Sequence, residues 1–573
     1  MSYTTLTAPL AEMPAYRKLI ETLAPAGACA LAEGCVDSQK QHLIHALSRE
    51  EALASHARFR LILTYSDRRA REIQQEYSFY DRNVTMYPAK DLIFYQAGLR
   101  SREIDRERIR CLKRVMEGRP ATVVTTFAAL MAPQVPLDTL RQNVLQIDRH
   151  GRLEPSEAAE KLVAMGYEKN FQVEKAGQFA VRGDILDIFD LTEENPYRIE
   201  LWGDEVESIR SFDVLSQRSL EKLESLSVYP AAEMILEDRR LQEGLRRIRK
   251  ESEELEKRLR KELRTEEAHR LKTSTEAMIE EAREFHDFSG LESYIRYFYP
   301  QTENFLDLFP REETMLFFDE PVRIRQQAEA VETEFRESMT SRAEKGYILP
   351  GQMDLLYSEE SVRAQTLDYR RLGIAQLADG CGSFGASETV SMHARTVAPY
   401  NKSFETLEKD LQKYRKDGSR VMLLSPSRTR AKRLAQDLTN DGITAFYSEN
   451  PRRILKPGEI MTAYGRVQHG FEYPEIGFCV ITESDIFGTE KKKKKKRHRY
   501  EGESIQHFSE LKVGDYIVHE DYDIGIYKGV EKVEVDHIAK DYIRIEYGGG
   551  GTLYVLPTDL SSLQKYAASD TEA

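Results

Sequence analysis

The chain has 573 residues, of which 40% are hydrophobic and 31% charged, and a formal net charge of −13. That length exceeds what one core organises; at roughly 100–200 residues per domain, three to five domains are expected. An acidic chain does not present a uniformly basic nucleic-acid surface, and no run of about 18 apolar residues offers a membrane span. The N-terminal MSYTTLTAPLAEMPAYRKL has no basic start followed by an apolar run, so it does not read as a secretory signal. Cys29, Cys35, Cys111, Cys381 and Cys479 are scattered, with no Cys-x-x-Cys and no Cys/His zinc spacing. No metal site is expected, and a reducing cytoplasm suits them better than a disulfide framework.

In chain order, Arg60–Tyr65 reads as a strand, Asp67–Tyr77 as a charged helix and Asn83–Tyr87 as a second strand. The amphipathic Arg102–Glu117 and the β-branched Ala121–Thr126 follow. Strand–helix alternation of this kind predicts a parallel α/β sheet. Beyond residue 140, helix Pro155–Met165 precedes short strands at Gln172–Val173, Gln178–Val181, Ile185–Phe189, Tyr197–Trp202 and Val206–Phe212. Turn residues separate these strands, which predicts a small antiparallel α+β module inserted into the first domain. Residues 245–285, rich in Arg, Lys, Glu and Leu without Pro or Gly, predict one long or two broken exposed helices with a solvated face.

Met315–Phe318 followed by Asp319-Glu320 reads as a buried strand ending in two acids. A second α/β unit spans about 400–487, with helices at Ser403–Lys416 and Thr429–Thr439. Its strands are expected at Val421–Leu424, Thr444–Tyr447, Ile460–Thr462 and Phe478–Ile481. The nine basic residues Lys491–Arg499 repel one another and read as a linker. Strands at Tyr516–His519, Ile524–Gly529, Glu531–Val535, Tyr542–Tyr547 and Leu553–Leu556, with a Gly548–Gly551 hairpin, predict a small SH3-like barrel.

Gly34-Cys35-Val36-Asp37-Ser38-Gln39-Lys40-Gln41 has the length of the phosphate loop G-x-x-x-x-G-K-[ST]. The second glycine of that loop lets backbone N–H groups close on phosphate, which a Cβ obstructs; here it is Gln39. The hydroxyl that ligates magnesium is replaced by Gln41. Only Gly34 and Lys40 remain of the pattern, and Asp319-Glu320 is followed by Pro321. These residues read as the remains of a nucleotide-binding fold, a degenerate site without hydrolysis.

Three stretches resemble one family. Gly177–Phe189, with Pro196–Glu205 and Ser208–Asp213, resembles a module shared by the repair protein UvrB and the bacterial transcription-repair coupling factors. Glu483-Ser484-Asp485-Ile486-Phe487-Gly488 with the basic run resembles the coupling factor's linker. Leu511–His519 with Gly525–Gly529 resembles its RNA-polymerase-interacting domain, which UvrB does not have. The fold implied is multidomain α/β. A UvrB-like degenerate nucleotide domain (1–135 and 216–395) carries the inserted UvrA-docking module (136–215). A small α/β domain (396–489), a basic linker (490–507) and a CarD-like or Tudor-like SH3-type barrel (508–567) follow.

The resemblance implies an adaptor that holds RNA polymerase through its β subunit and recruits UvrA for excision repair in the bacterial cytoplasm. No catalytic residue and no cofactor are expected, because ATP and magnesium belong to a translocase half that these residues do not match. The positions implied for UvrA are Arg182, Arg198 and Trp202. For polymerase the resemblance implies an edge strand, placed at Val530, Lys532, Val533, Glu534 and Val535, where unpaired backbone supplies affinity. Val533 falls where the family places a leucine. Two other readings stand beside this one: a UvrB-like damage-binding ATPase, which Gln39 and Gln41 disfavour, and non-specific DNA binding through Lys491–Arg499.

Overall fold

The computed structural model describes residues 4–90, 102–284, 291–450, 452–488, 502–504, 514–519, 524–535, 538–547, 552–555 and 563–566. The expected parallel sheet is seven-stranded. Its order is Glu388–Ser391, Cys29–Glu33, Arg370–Ile374, Thr314–Asp319, Phe59–Thr64, Ala121–Thr126 and Thr85–Tyr87. Every pairing in it is parallel. Thr314–Asp319 and Ala121–Thr126 are buried along their whole length, as strands covered on both faces must be, which is why they read as continuous runs rather than alternations. One face packs on Leu43, Ile44, Ile73 and Tyr77, the other on Ile109, Leu112, Leu130 and Ile324.

The inserted module has helix Pro155–Ala164 against a six-stranded sheet. The order is Ser219–Leu223, Glu205–Phe212, Tyr197–Trp202, Ile185–Phe189, Gln178–Arg182 and Glu168–Lys169. Alternation places Leu186, Ile188, Ile199 and Leu201 in one core with Leu162 and Met165, leaving Asp187, Arg198, Glu200 and Trp202 on the other face. The sheet continues past residue 215 into Ser219–Leu223, and Ser225–Val228 closes the module against Leu145–Asp148. Gln172–Val173 is a turn rather than a strand. The Gln178 side chain accepts from the N–H groups of Glu174 and Lys175 and holds the chain there.

The charged stretch forms two helices, Asp238–Lys261 and Thr265–Glu284, broken where Leu263 takes φ 65°. They are not solvated all round. Leu241, Leu245, Ile248, Leu255 and Leu259 recur at three- and four-residue spacing and bury a stripe against Leu271, Ile279 and Phe298. At Gly244 a Cβ would lie 2.1 Å from the Phe298 ring, so only glycine admits that approach. Dense Arg and Glu on the outer face hides this periodicity in the composition.

The second α/β unit has the sheet order Arg395–Thr396, Phe471–Tyr473, Phe478–Thr482, Arg420–Ser425, Ile460–Tyr464 and Ala445–Tyr447, with helices Phe404–Lys416 and Arg428–Asn440. Its Met422, Leu424, Phe471, Tyr473 and Phe478 belong to the same apolar cluster as Tyr16, Ile44 and Tyr80 of the first unit. The two units therefore share a core across the boundary placed at 395/396.

The C-terminal strands form a six-stranded sheet in the order Gly502–Ser504, Leu563–Tyr566, Tyr516–His519, Ile524–Val535, Ile538–Tyr547 and Thr552–Val555. Among the described residues the first and last strands of this sheet do not pair, so the expected SH3-like or Tudor-like barrel is not found closed. Two expected strands are one, Ile524–Val535, because the chain bends at Gly529 (φ 109°) with a register shift after Tyr527 instead of ending. Gly548–Gly551 and the basic run Lys491–Arg499 lie outside the described residues. Among the described residues no helix is long and apolar enough to cross a membrane.

Candidate functional site

Helix Asp37–Leu47 begins three residues after Gly34, so Gln39 and Lys40 sit inside the helix rather than in a loop. The first three N–H groups of the loop frame are taken. Gly34 donates to Gln376 O and Cys35 to Ala375 O, and Val36 donates to Gln39 Oε1 at 3.2 Å. Gln39 is buried, and its amide nitrogen donates to the Tyr473 hydroxyl at 3.1 Å. Gln41 is buried as well, with no hydrogen-bond partner for its Oε1.

Lys40 is buried, and its Nζ lies 2.8 Å from Asp319 Oδ1 and 2.5 Å from Glu320 Oε1. Asp319 Oδ2 accepts from Thr64 and from Arg69 Nε, both at 3.1 Å. Glu320 Oε1 also accepts from the Gln376 N–H at 3.0 Å, and its backbone takes φ 63°, a left-handed conformation that costs a non-glycine residue energy. Burial alone would lower the Lys40 pKa, but the two carboxylates more than offset it and hold it above the usual lysine value. Burial would raise Asp319, and Lys40 with Arg69 instead keep its pKa below normal. Arg69 also pairs with Asp37 and Glu72, each at 3.5 Å, so both cations of this cluster are committed to carboxylates of the chain itself.

The second unit clamps this helix. Tyr473 Oη lies 2.9 Å from His42 Nδ1, and His42 Nε2 lies 3.0 Å from Leu6 O. A neutral His42 with its proton on Nε2 satisfies both contacts: Gln39 donates to Tyr473, Tyr473 to His42, and His42 to Leu6. Burial lowers the His42 pKa to about 4 and that of His45 to about 3. The Gln468 N–H donates to Glu76 and the His469 N–H to Ser38, pinning the same junction.

On the outer face of the module, Arg182 and Arg198 converge on Asp187, which is fully buried. Arg182 reaches Asp187 Oδ2 at 2.5 Å; Arg198 makes a two-pronged contact at 2.7 and 2.8 Å, with a further bond to Gln217. The Arg198 guanidinium lies 4.3 Å from the centre of the Phe212 ring. Trp202, at the far end of the same strand, is 80% exposed. The three predicted residues share one sheet face, but the arginines are largely committed within the chain while the indole is open.

Val530, Lys532, Val533, Glu534 and Val535 lie in the second half of Ile524–Val535. That half pairs with Ile538–Ile543 on one side. Tyr516–His519 pairs only with Ile524–Ile526 on the other, so among the described residues one backbone edge of 530–535 has no strand partner.

Sequence reasoning missed Tyr473, His42, Arg69 and Thr64 around Lys40, and Asp187 between the arginines. Asp187 sits inside the quoted motif, and its position alternate to Leu186 and Ile188 was a usable signal. Nothing local marks Tyr473, 434 residues from Gln39.

Comparison with known proteins bears on both faces. Residues 145–234 match the UvrB interaction domain, and residues 511–567 match the CarD-like/TRCF RID domain. A transcription-repair-coupling factor of Bacillus subtilis (strain 168) is 31% identical over 494 residues, covering 86% of this chain and 41% of the relative. Counterparts from Staphylococcus epidermidis and Staphylococcus aureus are 28% and 27% identical, over 86% and 84% of this chain and 41% of each relative. The chain therefore spans about two fifths of the length of the curated relatives it matches. With both domain matches and this similarity over most of its length, the chain is a relative of the transcription-repair-coupling factors.

Proposed function

We propose that the chain is a protein-binding adaptor in the bacterial cytoplasm, which takes UvrA on the outer face of the UvrB interaction domain and the RNA polymerase β subunit on the C-terminal sheet. The observation that carries this reading is Trp202: the chain's only tryptophan stands 80% exposed on the same sheet face as the Arg182–Asp187–Arg198 cluster. A large exposed aromatic costs solvation unless a partner covers it, and such residues dominate binding energy at interfaces. Arg182 and Arg198 act with it, Arg198 chiefly by holding Asp187 and the face in shape. The free edge of 530–535 suits strand addition, with backbone groups supplying affinity. No nucleotide is hydrolysed at Lys40, since Asp319 and Glu320 already satisfy it and the Gly34–Val36 N–H groups are taken.

The test is titration of the chain with UvrA and with the β subunit separately. Trp202→Ala should weaken UvrA binding by about 1–3 kcal/mol, the range of an interface anchor, and leave β-subunit binding intact. Val533→Arg should do the reverse. Absence of both partners' binding in the parent chain, or saturable Mg·ATP binding that Lys40→Met removes, would overturn the reading.

A further inference from the structure

We propose that the carboxyl edge of the parallel strands in the second α/β unit is a binding surface for single-stranded nucleic acid, built from cations on helix Arg428–Asn440 and two tyrosines at neighbouring strand ends. Arg420–Ser425, Ile460–Tyr464 and Ala445–Tyr447 run parallel and finish at this edge. Tyr447 pairs with Thr462, so Tyr464 lies two residues further along the adjacent strand. The Arg428 guanidinium lies 5.7 Å from the centre of the Tyr464 ring, and Lys432 Nζ, one turn on, lies 5.1 Å from that of Tyr447. Tyr464 is 41% exposed, and Arg466, two residues beyond it, is exposed as well.

Ion pairing within the chain accounts for only part of the charge here. The first turn of Arg428–Asn440 holds Arg428 and Arg430 and no acidic residue, although the N-terminal end of a helix carries partial positive charge and favours anions. Three other helices follow that preference, with Asp67, Glu157 and Glu405 in their first turns, while Pro14–Leu23 and Pro321–Glu344 also lack an acid there. Arg430 pairs with Glu483 at 2.8 Å and Lys432 with Glu449 at 3.8 Å. Arg428 and Arg466 form no ion pair among the described residues, so the edge keeps a surplus of positive charge on a strongly acidic chain. The support is rigid: a Cβ on Gly465 would meet the Phe79 ring at 2.7 Å, and the Gln468 N–H is held by Glu76.

A cation lying on a half-open aromatic ring offers a phosphate contact and a stacking plane together. Unstacked bases use both and a base-paired duplex uses only the first. An acidic peptide would use the cations and have no need of the rings.

The test is fluorescence anisotropy with a labelled oligothymidine, on the chain with Lys491–Arg499 replaced by glycine and serine so that the basic run contributes nothing. Tyr464→Ala should weaken binding at least about fivefold, the lower end of one lost stacking contact, while Tyr464→Phe retains it. Arg428→Glu should weaken binding and lessen its salt dependence. The proposal fails if Tyr464→Ala and the parent bind alike while Tyr464→Phe shows the fold intact, or if a duplex or a polyglutamate peptide displaces the oligonucleotide as readily as unlabelled oligothymidine does.

Discussion

The parallel strands of the two α/β units present the same kind of carboxyl edge and treat their cations differently. At the first, Lys40 and Arg69 are buried against Asp319 and Glu320, and Gln39 is tied to Tyr473 of the neighbouring unit. At the second, Arg428 lies on the exposed Tyr464 ring and Lys432 on the half-buried Tyr447 ring. A strand end followed by a helix is a site for an anion only while its positive groups remain uncommitted. Once two carboxylates are folded in, the same architecture becomes a structural joint, and a lysine in a phosphate-loop frame turns from ligand into keystone.

The comparison breaks most directly at Lys40. Lys40→Met leaves Asp319 and Glu320 short of their shared cation in a buried cluster, and the expected cost is about 3–5 kcal/mol, read as a lowered urea midpoint at unchanged slope. Lys40→Met with Asp319→Asn should recover part of that loss. A single variant as stable as the parent would show that the cluster is not the joint described.

Acid should loosen the same joint. His42 packs against Phe471 and Tyr473, with ring centres 5.0 and 5.7 Å away, and His45 stacks on Tyr80 at 4.8 Å. Their folded pKa values of about 4 and about 3 lie below the usual 6.5. As pH falls through about 6.5 the unfolded chain takes the protons first, so stability declines from there towards pH 4. The loss is on the order of 3 kcal/mol for His42. Glu76, whose carboxyl burial raises, works in the opposite direction at the lower end of that window. Urea unfolding at pH 7 and pH 4.5 measures the difference, and His42→Asn should flatten it; an equally steep pH profile in that variant would refute the assignment.

The smallest effect sharpens the contrast. Tyr464→Ala and Arg428→Glu remove groups that face solvent, and each should change stability by less than about 0.5 kcal/mol in the same urea experiment. A loss comparable to that of Lys40→Met would mean that the second edge, too, is structural.

Much of the fold was legible because it is local. Helix Asp67–Tyr77 and strand Ala121–Thr126 stand where patterning put them, since β-branched runs and 3.6-residue spacing report on backbone preference and burial together. In the helices between 238 and 284 charge dominates the composition and points to exposure, while the apolar stripe is only one residue in three or four. The break at Gly529 was read as a strand end because glycine marks turns and bulges alike.

The sequence alone determined a set of local segments such as Asp67–Tyr77 and Ala121–Thr126, the absence of the second loop glycine at Gln39, and the motifs that carry the family likeness; it did not mark the sheet strands Cys29–Glu33, Arg370–Ile374 and Glu388–Ser391 or the helix Pro321–Glu344. Tertiary structure alone decided that Lys40 meets Asp319, that Asp187 absorbs both arginines, and that Tyr473 reaches Gln39. These depend on side chains brought together across up to 434 residues. Neither backbone propensity nor periodicity encodes such meetings, because their energy exists only once the chain has closed around them.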